Sequence, residues 1–264
     1  MSIASEITRL QGAKADLKTA IEAKGVTVSS SAKLDDYADL VDAIEAGIEL
    51  DDFLTGEEPS GVIDSYVTSF RGNLTLRNCN NITRVNFYNQ ITFPTNFFND
   101  CQYLTVIFAP KASISGNSYL GDRCQRVETV VIGSLNNCNY GLADMKRSGV
   151  TAFKTVDVSG SENMGSKCFY LDSVLDTVIL RSSSIVAMTN VDAFSGTPFA
   201  SDGTGGTIYI PKTLYDHLGD GTADDYKAAT NWATIDGYGT ITWAKIEGSA
   251  YDGYYADGTA IPIS

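Results

Sequence analysis

The chain has one histidine, His217, in 264 residues, and that scarcity removes more chemistry than any motif adds. A Ser-His-Asp arrangement would have to use His217, which sits in an acidic stretch without a G-x-S-x-G elbow. Zinc sites draw on paired Cys and His, and no C-x-x-C pair occurs, so no metal or other cofactor is expected. Neither G-x-x-x-x-G-K-[ST] nor G-x-G-x-x-G after a strand is found, which leaves nucleotide binding without support. Long apolar runs are missing as well. No stretch of about 18 apolar residues exists to span a bilayer, and Met1 to Glu6 has no positive n-region leading into an apolar h-region, so no secretory signal is expected. Basic residues are scarce at both ends: residues 1–64 carry 14 acids against 5 bases, residues 65–200 carry 9 against 11, and residues 201–264 carry 9 against 3. A net charge of -13 with no basic arm disfavours nucleic acid and anionic membrane as partners.

What is present is a repeat. Cys79, Cys101, Cys124 and Cys168 stand 22, 23 and 44 residues apart, the last interval being two repeat lengths. A short apolar ladder follows each of the first three: Ile82, Val85 and Phe87; Leu104, Val106 or Ile107, and Phe108; Val127, Val130 and Ile132. Without a cysteine the phase returns at Phe153, Val156 and Val158 and at Leu175, Val178 and Leu180, and Asn73, Leu74 and Leu76 open the series. One strand of three or four residues cannot bury its apolar face, whereas stacked strands bury a continuous core. Free cysteine fills a small buried position in such a frame, so the four register cysteines are expected reduced and buried.

The runs Cys79 to Phe87 and Cys124 to Ile132 and the closing Asp192-Ala193-Phe194 resemble leucine-rich repeats of the bacterial surface-antigen type, which read C-x-x-L-x-x-V-x-[IL]-P…A-F-x-x-C. The proline after the strand survives only at Ala109-Pro110, and the Ala-Phe pair only at the end. The resemblance implies a β-rich leucine-rich repeat solenoid over residues 65–200, about half the chain.

Ahead of it, Ile3, Ile7, Leu10, Leu17 and Ile21 recur at steps of four and three if Lys14 is counted, the seam of a coiled coil, and Lys24-Gly25 ends the helix. At about three heptads the helix is marginal alone, so the seam either packs on its own domain or docks against a partner. A second helix is expected from Leu34 to about Ala46, and residues 47–64 read as an acidic linker, since residues 35–64 hold eleven acids and no Lys or Arg. Ile7-Thr8-Arg9-Leu10-Gln11, Ala13-Lys14, Ile21 to Gly25 and Lys33-Leu34-Asp35-Asp36-Tyr37-Ala38 resemble the amino-terminal segment of many phage and prophage structural proteins, where it precedes a fibre or tail appendage.

The fold class expected is therefore an N-terminal α-helical segment able to form a coiled coil (1–46), the linker, the solenoid, and a C-terminal α/β cap and tail (201–264). In that last part Thr207 to Ile210 and Thr240 to Ile246 read as strands, and Asp225 to Trp232 as helical. Tyr226 and Trp232 are expected in the cap core, and Asp216, Asp220, Asp224 and Asp225 match no EF-hand spacing.

These resemblances imply a structural virion protein, assembled in host cytoplasm, that attaches to other virion proteins by its N-terminus and presents the solenoid to a host surface glycan or protein. A tail or baseplate fibre is the leading placement, and a head fibre or capsid decoration the alternative. A bacterial adhesin, which would need a secretion signal or wall anchor, and a glycan depolymerase, which an assay on polysaccharide would reveal, are the other readings. The seam composition favours a two-stranded coil, while the resemblance implies a homotrimer. Recognition is expected in the distal half, where residues 133–150 leave the frame with Tyr140, Lys146 and Arg147 and the tail carries Tyr251, Tyr254 and Tyr255, because aromatic rings give contact area at low entropy cost.

Overall fold

The computed structural model describes residues 3–22, 28–33, 36–37, 61–65, 67, 76–77, 82–114, 116, 119–143 and 152–246. The chain divides into two compact units, Met1–Glu57 and Glu58–Ser264. Most of the second helix (34–46) and of the linker, together with Asn73, Leu74, Cys79, Lys146, Arg147, Tyr251, Tyr254 and Tyr255, lies outside the described residues.

In the first unit, α1 (Ile3–Glu22) is the long helix that the spacing predicts. Its seam, however, is divided. Ile21 is buried in a small cluster with Val28, Ala32 and Tyr37, and Lys14 turns the same way, donating to the Ala32 carbonyl and lying over the Tyr37 ring. Ile7 and Leu10 remain 50% exposed and Leu17 39% exposed. Lys14 is thus withdrawn from the seam, because its ammonium finds an acceptor on its own chain.

The second unit is a β-solenoid of about four turns. Its strands are β1 (Gly61–Ser65), β2 (Leu76–Arg77), β3 (Ile82–Phe87), β4 (Thr92–Phe93), β5 (Phe98–Asn99), β6 (Val106–Ile114) and β7 (Gly121–Asp122). There follow β8 (Thr129–Ser134), β9 (Thr155–Val158), β10 (Asn163–Met164), β11 (Thr177–Leu180), β12 (Ala187–Met188), β13 (Gly206–Pro211) and β14 (Ile241–Ile246). The main sheet is parallel in the order β1-β3-β6-β8-β9-β11-β13-β14, with β4 beside β6. Short strands on the other side of each coil make two small sheets, β2-β5-β7 and β10-β12.

Strand pleating sends alternate residues inward. Ile63, Val85, Ile107, Val130, Val156, Val178 and Ile208 form one continuous buried row, and Ala109, Ile132, Val158 and Leu180 form a second. Phe87, Phe93, Phe97 and Phe98 fill the early coils with ring centroids 4.7 to 6.5 Å apart. Each fully buried side chain of this size contributes about 1.5–3 kcal/mol. On the outer face Thr129, Thr155, Thr177, Thr207 and Thr242 stand in one file, β-branched residues suited to a pleated surface.

Two placements differ from the sequence reading. Residues 61–64, placed in the linker by the sequence because acids surround them, belong with Ser65 to β1, since Ile63 and Ser65 alternate inward against β3. Leu76, expected to open the main ladder, instead joins Phe98 on the side sheet. Register also slips between Ala109 and Ser113 of β6, where Pro110 has no N–H to give. Gly133 is required by close approach: a Cβ there would stand 2.7 Å from the Ala112 carbonyl oxygen.

After β12 come a short 3-10 turn (Val191–Phe194), α2 (Lys212–Tyr215) and α3 (Trp232–Asp236). Of the helix expected over Asp225 to Trp232, only Trp232 is helical, as the first residue of α3; the residues before it make a series of turns, because the Asp225 carboxylate accepts from the Gly221 and Lys227 amides and Asn231 adopts φ 67°. Asx bonding of this kind competes with helix.

Candidate functional site

Successive coils place their corners one above another. Asn96 N–H donates to the Tyr119 carbonyl (2.7 Å), Leu120 N–H to Gly141 (2.7 Å), and Leu142 N–H to Cys168 (3.1 Å). Side chains at these corners therefore form a file. The Tyr119 ring lies 5.6 Å from that of Tyr140, and the Lys167 ammonium lies 5.3 Å from the Tyr140 centroid and 5.2 Å from that of Tyr170. Its bond to the Tyr140 hydroxyl raises the Lys167 pKa above the ordinary lysine value, so the ammonium stays charged. Tyr119 is 39% exposed, and Tyr140, Lys167 and Tyr170 are half-buried. On another corner Arg126 lies 4.7 Å over the ring of Tyr103, itself 45% exposed.

Two side chains of this file stand on left-handed backbone, a conformation that Arg123 and Leu171 also adopt. Asn96, Tyr140 and Lys167 all have φ between 53° and 63°. Asn tolerates that left-handed region, whereas Tyr and Lys meet a steric cost of roughly 1–2 kcal/mol there. Strain kept at side chains that are only half-buried is a reason to look for function.

Of the residues expected to bind, Tyr140 is in this file. Tyr119, Lys167 and Tyr170 were not singled out from the sequence; they are 21 to 30 residues from Tyr140, close to one repeat, and that spacing was the signal available. The oligomerisation residues Ile3, Ile7, Leu10, Leu17 and Ile21 all belong to α1 in the other unit, where Ile21 faces its own chain and the side chain of Ile3 lies outside the described residues.

Cys101, Cys124, Cys138 and Cys168 are free and buried. Each of the first two thiols donates to a side-strand carbonyl of the preceding coil, Cys101 to Leu76 at 3.3 Å and Cys124 to Phe98 at 3.1 Å. A hydrogen bond from the Cys168 thiol to Cys138 and burial push the Cys168 pKa well up, which keeps it protonated.

The acidic loop uses its carboxylates internally. Asp220 accepts from the Thr222 amide and hydroxyl at 2.8 and 2.7 Å and pairs with His217 at 2.7 Å. Burial raises the Asp225 pKa, but the amides of Gly219, Gly221 and Lys227 together outweigh it and leave the group below its usual range. Among the described residues no group of three or more His, Cys, Asp or Glu is arranged to hold a metal ion, and no helix is long and apolar enough to cross a membrane.

No protein-family model, curated protein or solved structure matches the chain.

Proposed function

We propose that the protein is a non-enzymatic binding protein of a phage particle, attached through its N-terminal unit and presenting the solenoid to a host surface, with the corner file of Tyr119, Tyr140, Lys167 and Tyr170 as its contact. The observation that carries this reading is the strained, half-buried Tyr140 and Lys167 at a corner where Asn96 satisfies the same backbone without strain. Stacked coils hold such a file rigidly, so little side-chain freedom is lost on contact. The N-terminal resemblance supports the virion setting, with a tail or baseplate fibre ahead of a head fibre.

The intervals of 22 and 23 residues between Cys79, Cys101 and Cys124 support the leucine-rich repeat form of the solenoid. Residues 201–246 act as its cap. Trp232 Nε1–H donates to the Val186 carbonyl at 2.7 Å, Asn231 Nδ2 donates to Met188 at 2.7 Å, and the Tyr226 hydroxyl accepts from the Val186 amide at 3.0 Å. These are backbone groups that another coil would otherwise have met.

The test is binding of purified protein to bacterial cells and immobilised bacterial surface glycans, comparing wild type with Tyr140→Asn. Asn suits the left-handed corner, so the variant keeps or gains stability while losing the ring. Binding that falls about tenfold or more, a loss of about 1.4 kcal/mol, supports the site. Unchanged binding by the folded variant removes it.

A further inference from the structure

The outer face of β1, β3 and β6 carries a locked polar array. Arg84 and Asn86 alternate on β3 and so share that face, with Asp64 opposite Asn86 on β1 and Phe108 opposite it on β6, while Tyr88 directly follows β3. Arg84 Nε donates to Asn86 Oδ1 at 2.7 Å, and Asn86 Nδ2 donates to Asp64 Oδ1 at 2.8 Å. The Tyr88 hydroxyl donates to the same Asp64 oxygen at 2.8 Å. The Arg84 guanidinium lies over the Phe108 ring at 5.7 Å, and Tyr88 sits 6.1 Å from that ring.

Asn86 is buried, so its amide is fixed by its two neighbours. The relay consumes Arg84 Nε and Asp64 Oδ1 but leaves the two Nη groups of Arg84 and Oδ2 of Asp64 without a hydrogen bond among the described residues. Arg84 and Tyr88 are half-exposed and Asp64 is exposed. The result is a rigid donor pair and a carboxylate acceptor set beside a tyrosine ring.

We propose that this face is a saccharide-binding site, independent of the tyrosine file, which takes a pyranose through a pair of vicinal hydroxyls. A sugar hydroxyl both donates and accepts, so one can accept from Arg84 Nη while its neighbour donates to Asp64 Oδ2. The apolar face of the ring packs on Tyr88. The mixed charge selects against other small ligands: the Asp64 carboxylate repels phosphate, and the Arg84 guanidinium repels a metal cation. Pre-ordering by Asn86 and Phe108 lowers the entropy lost on binding.

The test uses the full chain labelled with nitrogen-15, following the Arg84 Nε–H and Asn86 side-chain amide signals by NMR. The probes are methyl α-mannopyranoside, methyl β-galactopyranoside and methyl β-glucopyranoside, with sodium phosphate as the fourth. Saturable shifts of both signals with at least one glycoside in the millimolar range are expected, with affinity weakened about tenfold in Asp64→Asn and, followed by the Asn86 amide alone, in Arg84→Lys, which keeps the charge but loses the planar fork. Tyr140→Asn should leave these shifts unchanged, so the two sites fail separately. Shifts with phosphate alone, or none with any of the three glycosides, overturn the proposal, as do undiminished shifts in both variants with unaltered melting.

Discussion

Arg181 and Asp157 form a two-point ion pair within the solenoid, Nε to Oδ1 at 2.7 Å and Nη2 to Oδ2 at 2.9 Å, with both side chains almost wholly buried. The pair joins two adjacent coils, since Asp157 lies in β9 and Arg181 directly follows β11. Removing one member strands the other charge out of water. Arg181→Met should therefore cost about 3–5 kcal/mol, and the double change Asp157→Leu with Arg181→Met should recover most of that. Urea unfolding of the three proteins measures it; a single variant that loses under about 1 kcal/mol would show the pair to be solvated.

The row Val85, Ile107, Val130, Val156 and Val178 was legible because inward positions in a parallel stack admit only apolar residues, and a phase of 22 to 26 residues repeats them. What escaped was decided by partners distant in sequence. Leu76 looks like any ladder residue, and only its neighbour Phe98 puts it on the side sheet. Ile63 and Ser65 sit among acids, and the waiting edge of β3 makes them a strand. Tyr119 and Lys167 have no local motif at all, and become neighbours of Tyr140 only when coils stack.

Tyr226 and Trp232 are fully buried, and their rings lie 5.1 Å apart, edge to face. Burial raises the Tyr226 pKa well above the ordinary phenol, so the hydroxyl stays neutral. Tyr226→Phe should cost about 1–3 kcal/mol by leaving the Val186 amide buried without its acceptor, and Trp232→Ala about 3–5 kcal/mol. Hydrogen exchange at Val186 should accelerate in Tyr226→Phe relative to Val130. Equal exchange at both amides would remove the role assigned to residues 201–246.

The thiols of Cys101, Cys124, Cys138 and Cys168 should stay silent to Ellman's reagent in native buffer and react once the chain is denatured. Rapid labelling of all five cysteines in the folded protein would contradict the burial. Cys124→Asp should prevent folding at ordinary temperature, because it buries an unpaired charge. Gly141→Ala should also be destabilising: its Cβ would fall 1.7 Å from Cys138 Sγ, so the buried thiol would have to turn away within a packed core.

His217 bonds Asp220, and that contact raises the imidazole pKa above 6.5. The Thr222 amide, then His217, lower Asp220 to about 2. The raised imidazole adds stability that is complete below its unfolded value and fades as pH climbs through the folded one. The lowered carboxylate adds stability present above its unfolded value, lost as pH falls toward about 2. Because the chain has a single histidine, its proton signal reads the titration directly. Asp220→Asn should return the midpoint toward 6.5; a wild-type midpoint at or below that value sinks the pairing.

The last prediction concerns α1. Ile21 and Lys14 are committed to their own chain, so the surface left for a partner is Ile7, Leu10 and Leu17, three apolar side chains exposed on a helix whose ion pairs Arg9–Glu6 and Lys18–Glu22 are internal. Burying a leucine of this kind is worth about 1.5–3 kcal/mol, and three per chain offset part of the entropy of association only when several chains share one seam. With Lys14 drawn away, the polar seam residue that would cost a larger bundle most is absent, which favours the homotrimer over the two-stranded coil. Light scattering of the full-length protein should give three times the chain mass, and Leu10→Glu with Leu17→Glu should give the monomer without changing the melting of the solenoid. A twofold mass would keep the seam and discard the threefold symmetry. A monomeric wild type at tens of micromolar would mean that the exposed stripe docks on another protein or on nothing.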